Sequence, residues 1–261
     1  MNVSIITDRM DCVSDAKGYN VDFLSLLGSW SKEKFHVFLK ETIESYNCHR
    51  DDDIGDNRVS QIAVKICFED CRYKRAKKFV SSEMFDCIME NTANPNFFSR
   101  MRLPFRTIVW KNYMFFDYLH EFELVSNGED TKGFISVFCL QDDGYMAYTE
   151  ISMEEFKSVP PEALKFLYYL NSERPDIEPR QYTKAERLKV SNGKIAETIY
   201  VGRKYKSIKG VKTGVKIDKR FIVSGHWRNQ PVKCGYKTIF IEPYYKGTDD
   251  MAKIIDKVYQ L

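Results

Sequence analysis

No hydrophobic run in this sequence is long enough to cross a bilayer, and the N-terminus lacks the basic and apolar segments of a signal peptide. These absences predict a cytoplasmic protein with no membrane contact. Nucleotide and hydrolase motifs are missing too: there is no P-loop, no G-x-S-x-G, no H-E-x-x-H and no Rossmann glycine run. The enzyme classes that depend on those motifs are therefore disfavoured.

Cysteine is present, but not in a pattern that predicts disulfides or a metal site. The seven cysteines are an odd number at irregular positions, unlike a disulfide framework. Cys67 and Cys71 are one helical turn apart, with Cys48 and His49 upstream, but the paired C-x₂-C spacing of zinc sites is lacking. We therefore expect no metal and no cofactor, and we expect these cysteines to be small core residues.

The composition is that of a globular protein, but its charge is unevenly distributed. Of the 261 residues, 43% are hydrophobic and 14% aromatic, which favours a Phe-rich core with Tyr at its edges over a set of stacking platforms. From Lys184 to Lys246 there are 16 Lys and Arg against 4 Asp and Glu, a balance of +12. Because the net charge is +3, the remainder carries −9. This asymmetry predicts that the basic part meets a polyanion; a solvated basic surface is the alternative.

Residue patterning predicts an α+β fold with N-terminal helices, a central antiparallel sheet and a basic C-terminal β-hairpin region. Residues 1–98 form a mainly helical N-terminal region. Residues 99–180 show strand-like alternation separated by turn signals, and then a helix that starts at Pro160-Pro161. Residues 181–261 form the basic C-terminal region, in which 180–219 is polar and weakly patterned. That segment is expected to be a mobile arm or a loop ordered by a partner.

Within the N-terminal region, apolar residues recur at helical spacing over about 32–47 and again over 58–73. Ser31 is placed to cap the first of these helices, and Ser81 or Ser82 a later one. Near the C-terminus, 221–223 and 237–241 are predicted strands.

The densest group of chemically capable residues lies between those two strands, in Gly225-His226-Trp227-Arg228-Asn229-Gln230. In an extended segment, His226 and Arg228 would share one face and Trp227 the other. Such a face can hold a phosphate, with Arg228 as a bidentate donor and His226 as a hydrogen-bond or proton donor. In a nuclease, His226 would act as general base or acid. In a purely structural corner, Trp227 would pack and His226 and Arg228 would satisfy buried carbonyls.

The residues favour a structural or binding role over catalysis, because no second base or acid accompanies His226 in the sequence. His120 is a distant candidate partner. His226 is therefore the single catalytic candidate. The residues predicted to bind nucleic acid or a partner are Trp227, Arg228, Asn229, Gln230, Arg203, Lys204, Lys219 and Arg220.

Several segments, in order along the chain, resemble the pattern of a family of phage, plasmid and integrated-element proteins with a C-terminal G-H-W-R-x-Q motif. They are Lys78–Phe85 followed by Asn91-Thr92, Arg102–Val109, Lys132–Ile135, Leu167–Ile177, Ser224–Gln230 and Phe240–Gly247. The sequence departs from the family at Arg106-Thr107, where Trp-Cys is common, at Ser224 in place of Arg, and at Phe240 in place of Trp. The first 77 residues have no counterpart in that pattern.

The family includes a type V-A anti-CRISPR protein that blocks effector biosynthesis by recognising the nascent polypeptide and causing loss of its message. The resemblance implies a counter-defence or regulatory protein in the host cytoplasm. Its basic C-terminal region would contact RNA or a ribonucleoprotein, and another surface would read a nascent polypeptide of a host defence protein. Two alternatives remain: a metal-independent ribonuclease that uses His226, and a protein–peptide interaction module.

Overall fold

The computed structural model describes residues 4–6, 22–48, 54–120, 135–140, 146–151, 156–205, 220–232, 235–246 and 254–255. The fold is α+β, with N-terminal helices, a mixed sheet and a C-terminal antiparallel hairpin. None of the helices in these ranges is long and apolar enough to cross a membrane.

Along the chain, the helices and strands of the main sheet come first, and a group of short strands follows them. The helices are α1 (Phe23–Ser29), α2 (Lys32–Cys48), α3 (Ile54–Arg72), α4 (Glu83–Glu90), α5 (Pro161–Leu170) and α6 (Lys184–Ser191). The strands are β1 (Ser4–Ile6), β2 (Lys77–Ser81), β3 (Thr107–Trp110), β4 (Tyr113–Asp117), β5 (Ile135–Leu140), β6 (Met146–Ile151), β7 (Ile177–Pro179), β8 (Thr198–Val201), β9 (Arg220–Val223), β10 (His226–Val232), β11 (Gly235–Ile241), β12 (Tyr244–Lys246) and β13 (Ile254–Ile255).

The predicted helices form where hydrophobic spacing and capping agree. The Ser31 hydroxyl accepts a hydrogen bond from the Lys34 amide at 3.1 Å, and Ser82 does the same for Phe85 at 3.2 Å. These bonds satisfy amides that the first turn of a helix leaves unpaired. The helix expected after Pro160-Pro161 is α5.

Within the described ranges, eight strands form one sheet in the order β1-β6-β5-β4-β3-β2-β8-β7. Strands β3 to β6 are antiparallel, as predicted for this region. The prediction of a wholly antiparallel sheet is wrong, because β2 runs parallel to both of its neighbours, β3 and β8. The chain between β2 and β3 contains α4, and a crossover of that length permits a parallel pair.

The segment 180–219 is more structured than its weak pattern indicates. It contains α6 and β8, and β8 lies between β2 and β7 in the main sheet. Of the four residues of β8, only Ile199 and Val201 are buried, and two apolar residues are too few to reveal a period. All three predicted regions thus contribute strands to one sheet, while 206–219 lies outside the described residues.

Helices cover both faces of the sheet. Helices α1 to α3 pack on the face that carries Val109, Met114 and Phe138. Helices α4 and α5 pack on the face that carries Ile108 and Trp110. The Trp110 ring stacks on Phe166 of α5 with centroids 4.0 Å apart and planes 5° apart. Every residue of α5 from 163 to 170 is buried, rather than one face as the periodicity predicts, because the C-terminal hairpin covers its other side.

The motif predicted to lie between two strands is itself the first strand of a hairpin. Strand β10 pairs with β11 so that Trp227 faces Phe240 and Arg228 faces Ile239. Strand β9 pairs instead with β12 and β13. The motif residues are therefore held by main-chain pairing on one side and by α5 on the other.

Candidate nucleic-acid interface

Gly225 allows the hairpin to approach the core closely. A Cβ atom on this residue would lie 2.9 Å from Cζ of Phe240 and 3.1 Å from Oγ1 of Thr92. The Thr92 hydroxyl is fixed, because it donates to the Ile88 carbonyl at the end of α4. No side chain fits between these two groups without displacement, so the glycine sets the position of β10.

Trp227 attaches the hairpin to α5. Its ring centroid is 4.7 Å from that of Phe240 and 5.6 Å from that of Tyr168. The indole Nε1 is buried and has no hydrogen-bond partner among the residues the structure describes. The tryptophan therefore points inward, which the sequence left open, and its ring contributes packing contacts.

His226 and Arg228 lie on the opposite face of β10 from Trp227, as strand alternation requires. His226 is half-buried, and its Nδ1 is 3.2 Å from the Ser224 carbonyl, which can only accept a hydrogen. Nδ1 must therefore carry the proton when this bond forms. Arg228 is exposed, and it makes no ion pair with any residue in the described part of the chain.

No acid–base pair is assembled around His226 within the described ranges. His120 is used elsewhere: its Nε2 is 2.7 Å from the Leu103 carbonyl and 3.9 Å from the Asp117 carboxylate. A general base gains its orientation and strength from a second polar partner, and the Ser224 carbonyl is the one that the structure gives to His226.

The two amides beside Arg228 lie along the same strand. Asn229 is exposed and faces Thr238 on β11, whose hydroxyl donates to Ser99 at 3.0 Å. Gln230 is half-buried and faces Lys237. Lys237 is itself paired with Glu173 at 2.7 Å, so the hairpin is tied to the chain that follows α5.

The predicted cations nearest the hairpin are paired with acids. Arg203 lies 3.5 Å from Glu178, and its guanidinium sits 4.5 Å from the Tyr200 ring centre. Lys204 lies 2.6 Å from Glu242. Burial lowers the pKa of Lys204, but the hydrogen bond to Glu242 and the nearby negative charges together outweigh burial and raise it.

The remaining two predicted cations have no described side-chain environment. Lys219 lies outside the described residues. Arg220 is the first residue of β9, where only the backbone is described. Their part in binding stays a prediction.

A tyrosine cluster that sequence reasoning missed lies beside the hairpin. The Tyr205 hydroxyl is 3.5 Å from both the Tyr169 hydroxyl and Oε1 of Glu242. The Tyr169 hydroxyl accepts the Asp176 amide at 2.9 Å, and Asp176 accepts the Lys204 amide at 2.7 Å. Burial raises the pKa of both phenols above the ordinary tyrosine value, so they act as neutral hydrogen-bonding groups. Tyr205 lies in the weakly patterned segment, where no local signal marks it.

Several segments that carry the family resemblance meet around α5. Asp117 accepts hydrogen bonds from the Arg102 side chain at 3.0 Å and from the Leu103 amide at 2.8 Å. The Arg102 amide donates at 2.8 Å to Asn171, which follows α5. Through Tyr169, Trp227 and Phe240 the same helix holds the hairpin.

Cys67 and Cys71, which were considered for a metal site, are in the core, while His49 and the side chain of Cys48 lie outside the described residues. The Cys71 thiol is 3.2 Å from the Met114 sulfur, and burial raises the pKa of both Cys67 and Cys71 well above the ordinary thiol value. In the part of the chain that is described, no group of three or more His, Cys, Asp or Glu side chains could hold a metal ion. No protein-family model, curated protein or solved structure matches this chain.

Proposed function

We propose that this chain is a phage or mobile-element counter-defence or regulatory protein, of the anti-CRISPR kind, that binds RNA or a ribonucleoprotein through its basic C-terminal region. The observation that carries the binding role is Arg228, which is exposed on a hairpin fixed to the core and has no acidic partner in the described residues. The counter-defence role is proposed from the resemblance of the motif segments.

A binding role fits the geometry of β10 better than catalysis. Arg228 lies in regular strand backbone, and the pairing with Ile239 sets its position. A guanidinium carried on a fixed strand can make two parallel hydrogen bonds to one phosphate. His226 next to it is half-buried and oriented by the Ser224 carbonyl, but no acid or second base of the described structure pairs with it for proton transfer.

The ion pairs of the structure indicate which cations can contribute affinity for a phosphate. Arg203 and Lys204 would have to leave Glu178 and Glu242 before they could bind a phosphate. Arg228 binds without breaking an ion pair of the described structure, so it is the more effective contact. Its contribution should weaken as salt rises, because phosphate contacts release condensed counterions.

The proposal is tested by titrating a fluorescently labelled single-stranded RNA with wild type and with Arg228→Ala combined with Lys219→Ala. The double variant should bind more weakly at low salt, and the slope of log affinity against log salt should decrease by about 1.4 for two lost phosphate contacts. Lys32→Ala with Lys40→Ala, two exposed positions on α2, is the control with the same loss of charge. Undetectable RNA binding by wild type at low salt, or equal affinity of both variants, would contradict the proposal.

A protein–peptide module is the second candidate, because the strand ends beside the hairpin turn carry exposed apolar side chains. Tyr236 is 73% exposed and Val232 is 46% exposed. Strands β10 and β11 pair only with each other among the described strands, which leaves an edge that an extended nascent peptide can join. Pull-downs with and without nuclease distinguish the candidates: capture that survives nuclease supports the peptide, and capture that is lost supports RNA.

A further inference from the structure

Helix α6 is ordered although nothing in the core holds it. None of its eight residues is buried. An isolated helix of this length is not stable in water, so other contacts must fix it. One is a capping box: the Thr183 hydroxyl accepts the Glu186 amide at 3.3 Å, and the Glu186 carboxylate accepts the Thr183 amide at 2.9 Å.

Both ends of the α6 segment are pinned to the edge of the sheet. Before the helix, the Arg180 amide donates to the Thr198 carbonyl at 2.9 Å, and the Tyr182 hydroxyl accepts the Thr198 amide. After it, Glu197 pairs with Lys77 of β2 at 2.5 Å. Helix α6 is therefore exposed to solvent, while the chain on both sides of it is bonded to the sheet.

The cations of this segment differ from those near the hairpin. Lys184, Arg187, Lys189 and Lys194 are exposed or at most half-buried, and none makes a salt bridge with a described residue. The single acid of α6, Glu186, is already engaged by the capping box and by Arg180 at 2.7 Å. The four cations are therefore available to an external anion at no cost in broken ion pairs of the described structure.

Aromatic rings flank this charge. The Arg180 guanidinium lies 5.3 Å from the Tyr182 ring centre, and Arg203 lies 4.5 Å from that of Tyr200. Tyr200 is half-buried, and it lies on the face of β8 opposite the buried Ile199 and Val201. Cations beside tyrosine and arginine planes are the combination that holds phosphates and stacks unpaired bases.

We infer that α6 and its flanks, residues 180–200, form a second RNA-contacting surface, separate from the hairpin, that takes single-stranded RNA through its phosphates. This inference rests on the proposed function and adds a site to it. Leu188, 59% exposed, is the one large apolar side chain among the exposed hydrophobic residues of this helix. Four exposed cations against one exposed leucine favour a polyanion over an apolar groove ligand.

The test is the variant Lys184→Gln/Arg187→Gln/Lys189→Gln/Lys194→Gln, titrated with a short labelled single-stranded RNA between about 50 and 200 mM salt. Affinity at the low-salt end should fall at least tenfold, and the salt slope should decrease by about 3, since each single-strand phosphate contact contributes about 0.7. The variant should remain folded because α6 has no buried residue, which circular dichroism and thermal melting check.

The control, Lys32→Gln/Lys40→Gln/Lys65→Gln/Lys157→Gln, removes the same charge from exposed positions in other elements. It should keep most of the affinity. An equal loss in the control would overturn the inference, as would polyglutamate binding as tightly as RNA at these residues. If the α6 variant binds like wild type while the Arg228→Ala variant is weakened, the inference fails and the proposed function stands. If wild type binds no RNA at low salt, both fail.

Discussion

The hairpin and α6 are both basic and both lie in the last third of the chain, but they are held in opposite ways. The hairpin is attached by side chains, with Trp227 and Phe240 packed on α5. Helix α6 is attached by polar contacts, namely hydrogen bonds and an ion pair of its flanks and a capping box, and none of its own residues is buried. Cations beside the hairpin, Lys204 and Lys237, are paired with acids, whereas those on α6 are not paired with described residues. Charge counted along a sequence therefore overstates what is available to a ligand near the hairpin.

The largest difference should appear when one apolar side chain is removed from each region. Trp227→Ala should lower the free energy of unfolding by about 3 kcal/mol, because it leaves a cavity against Tyr168 and Phe240. Leu188→Ala on α6 should change it by less than about 0.5 kcal/mol, since the side chain is exposed. Urea denaturation of both variants measures this difference. Equal changes in the free energy of unfolding would contradict the attachment of the hairpin to the core through Trp227.

Substitution of one glycine in each region should show a smaller difference in stability between the hairpin and α6. Gly225→Ala should cost about 2 kcal/mol, because the new methyl group overlaps Phe240 and Thr92. Gly193→Ala, at the end of the α6 segment, should cost about 1 kcal/mol, since its φ of +65° disfavours a side chain but no atom lies closer than the Tyr73 carbonyl at 3.2 Å. Thermal melting of both variants and of wild type shows which substitution destabilises the protein more. A milder effect at Gly225 than at Gly193 would show that the hairpin can shift.

Removal of the cap should loosen α6 and leave the rest of the protein intact. Thr183→Ala breaks the capping box and should cost the helix about 1 kcal/mol. Hydrogen exchange should quicken at amides of 184–191, while amides of β10 and β11 keep their protection. Thr183→Ser, which retains the hydroxyl, is the matched control. Faster exchange across the hairpin as well would mean that the two regions are coupled.

The smallest effect is expected for His226→Ala on the integrity of RNA. The half-buried imidazole bonds to the Ser224 carbonyl, and no acid or second base of the described structure pairs with it, so wild type and variant should both leave labelled RNA intact. Gel electrophoresis after incubation without metal measures this. Cleavage by wild type that the variant loses would move the function to the ribonuclease alternative.

Local signals predicted the elements whose formation depends on neighbouring residues. Ser31, Ser82 and Pro161 mark helix starts that the structure contains. Alternation predicted strands at 107–110, 133–140 and 145–149, which correspond to β3, β5 and β6, and one at 121–125, which lies outside the described residues. Strand β4 was missed, because its five residues are buried on both faces and show no alternation. Strand β8 was missed for a related reason, since two buried residues make no period.

The sequence by itself determined the helix caps at Ser31 and Ser82, three strands of the antiparallel meander (β3, β5 and β6) and the location of the basic C-terminal region. Only the tertiary structure decided that β2 lies parallel between β3 and β8, that Trp227 points inward, and that Lys204 is paired with Glu242 while the cations of α6 carry no such pair among described residues. The physical reason is the separation along the chain over which each interaction acts. Caps and alternation act over a few residues, whereas strand order, burial and ion pairing join groups that are distant in the chain and meet only after the sheet has formed.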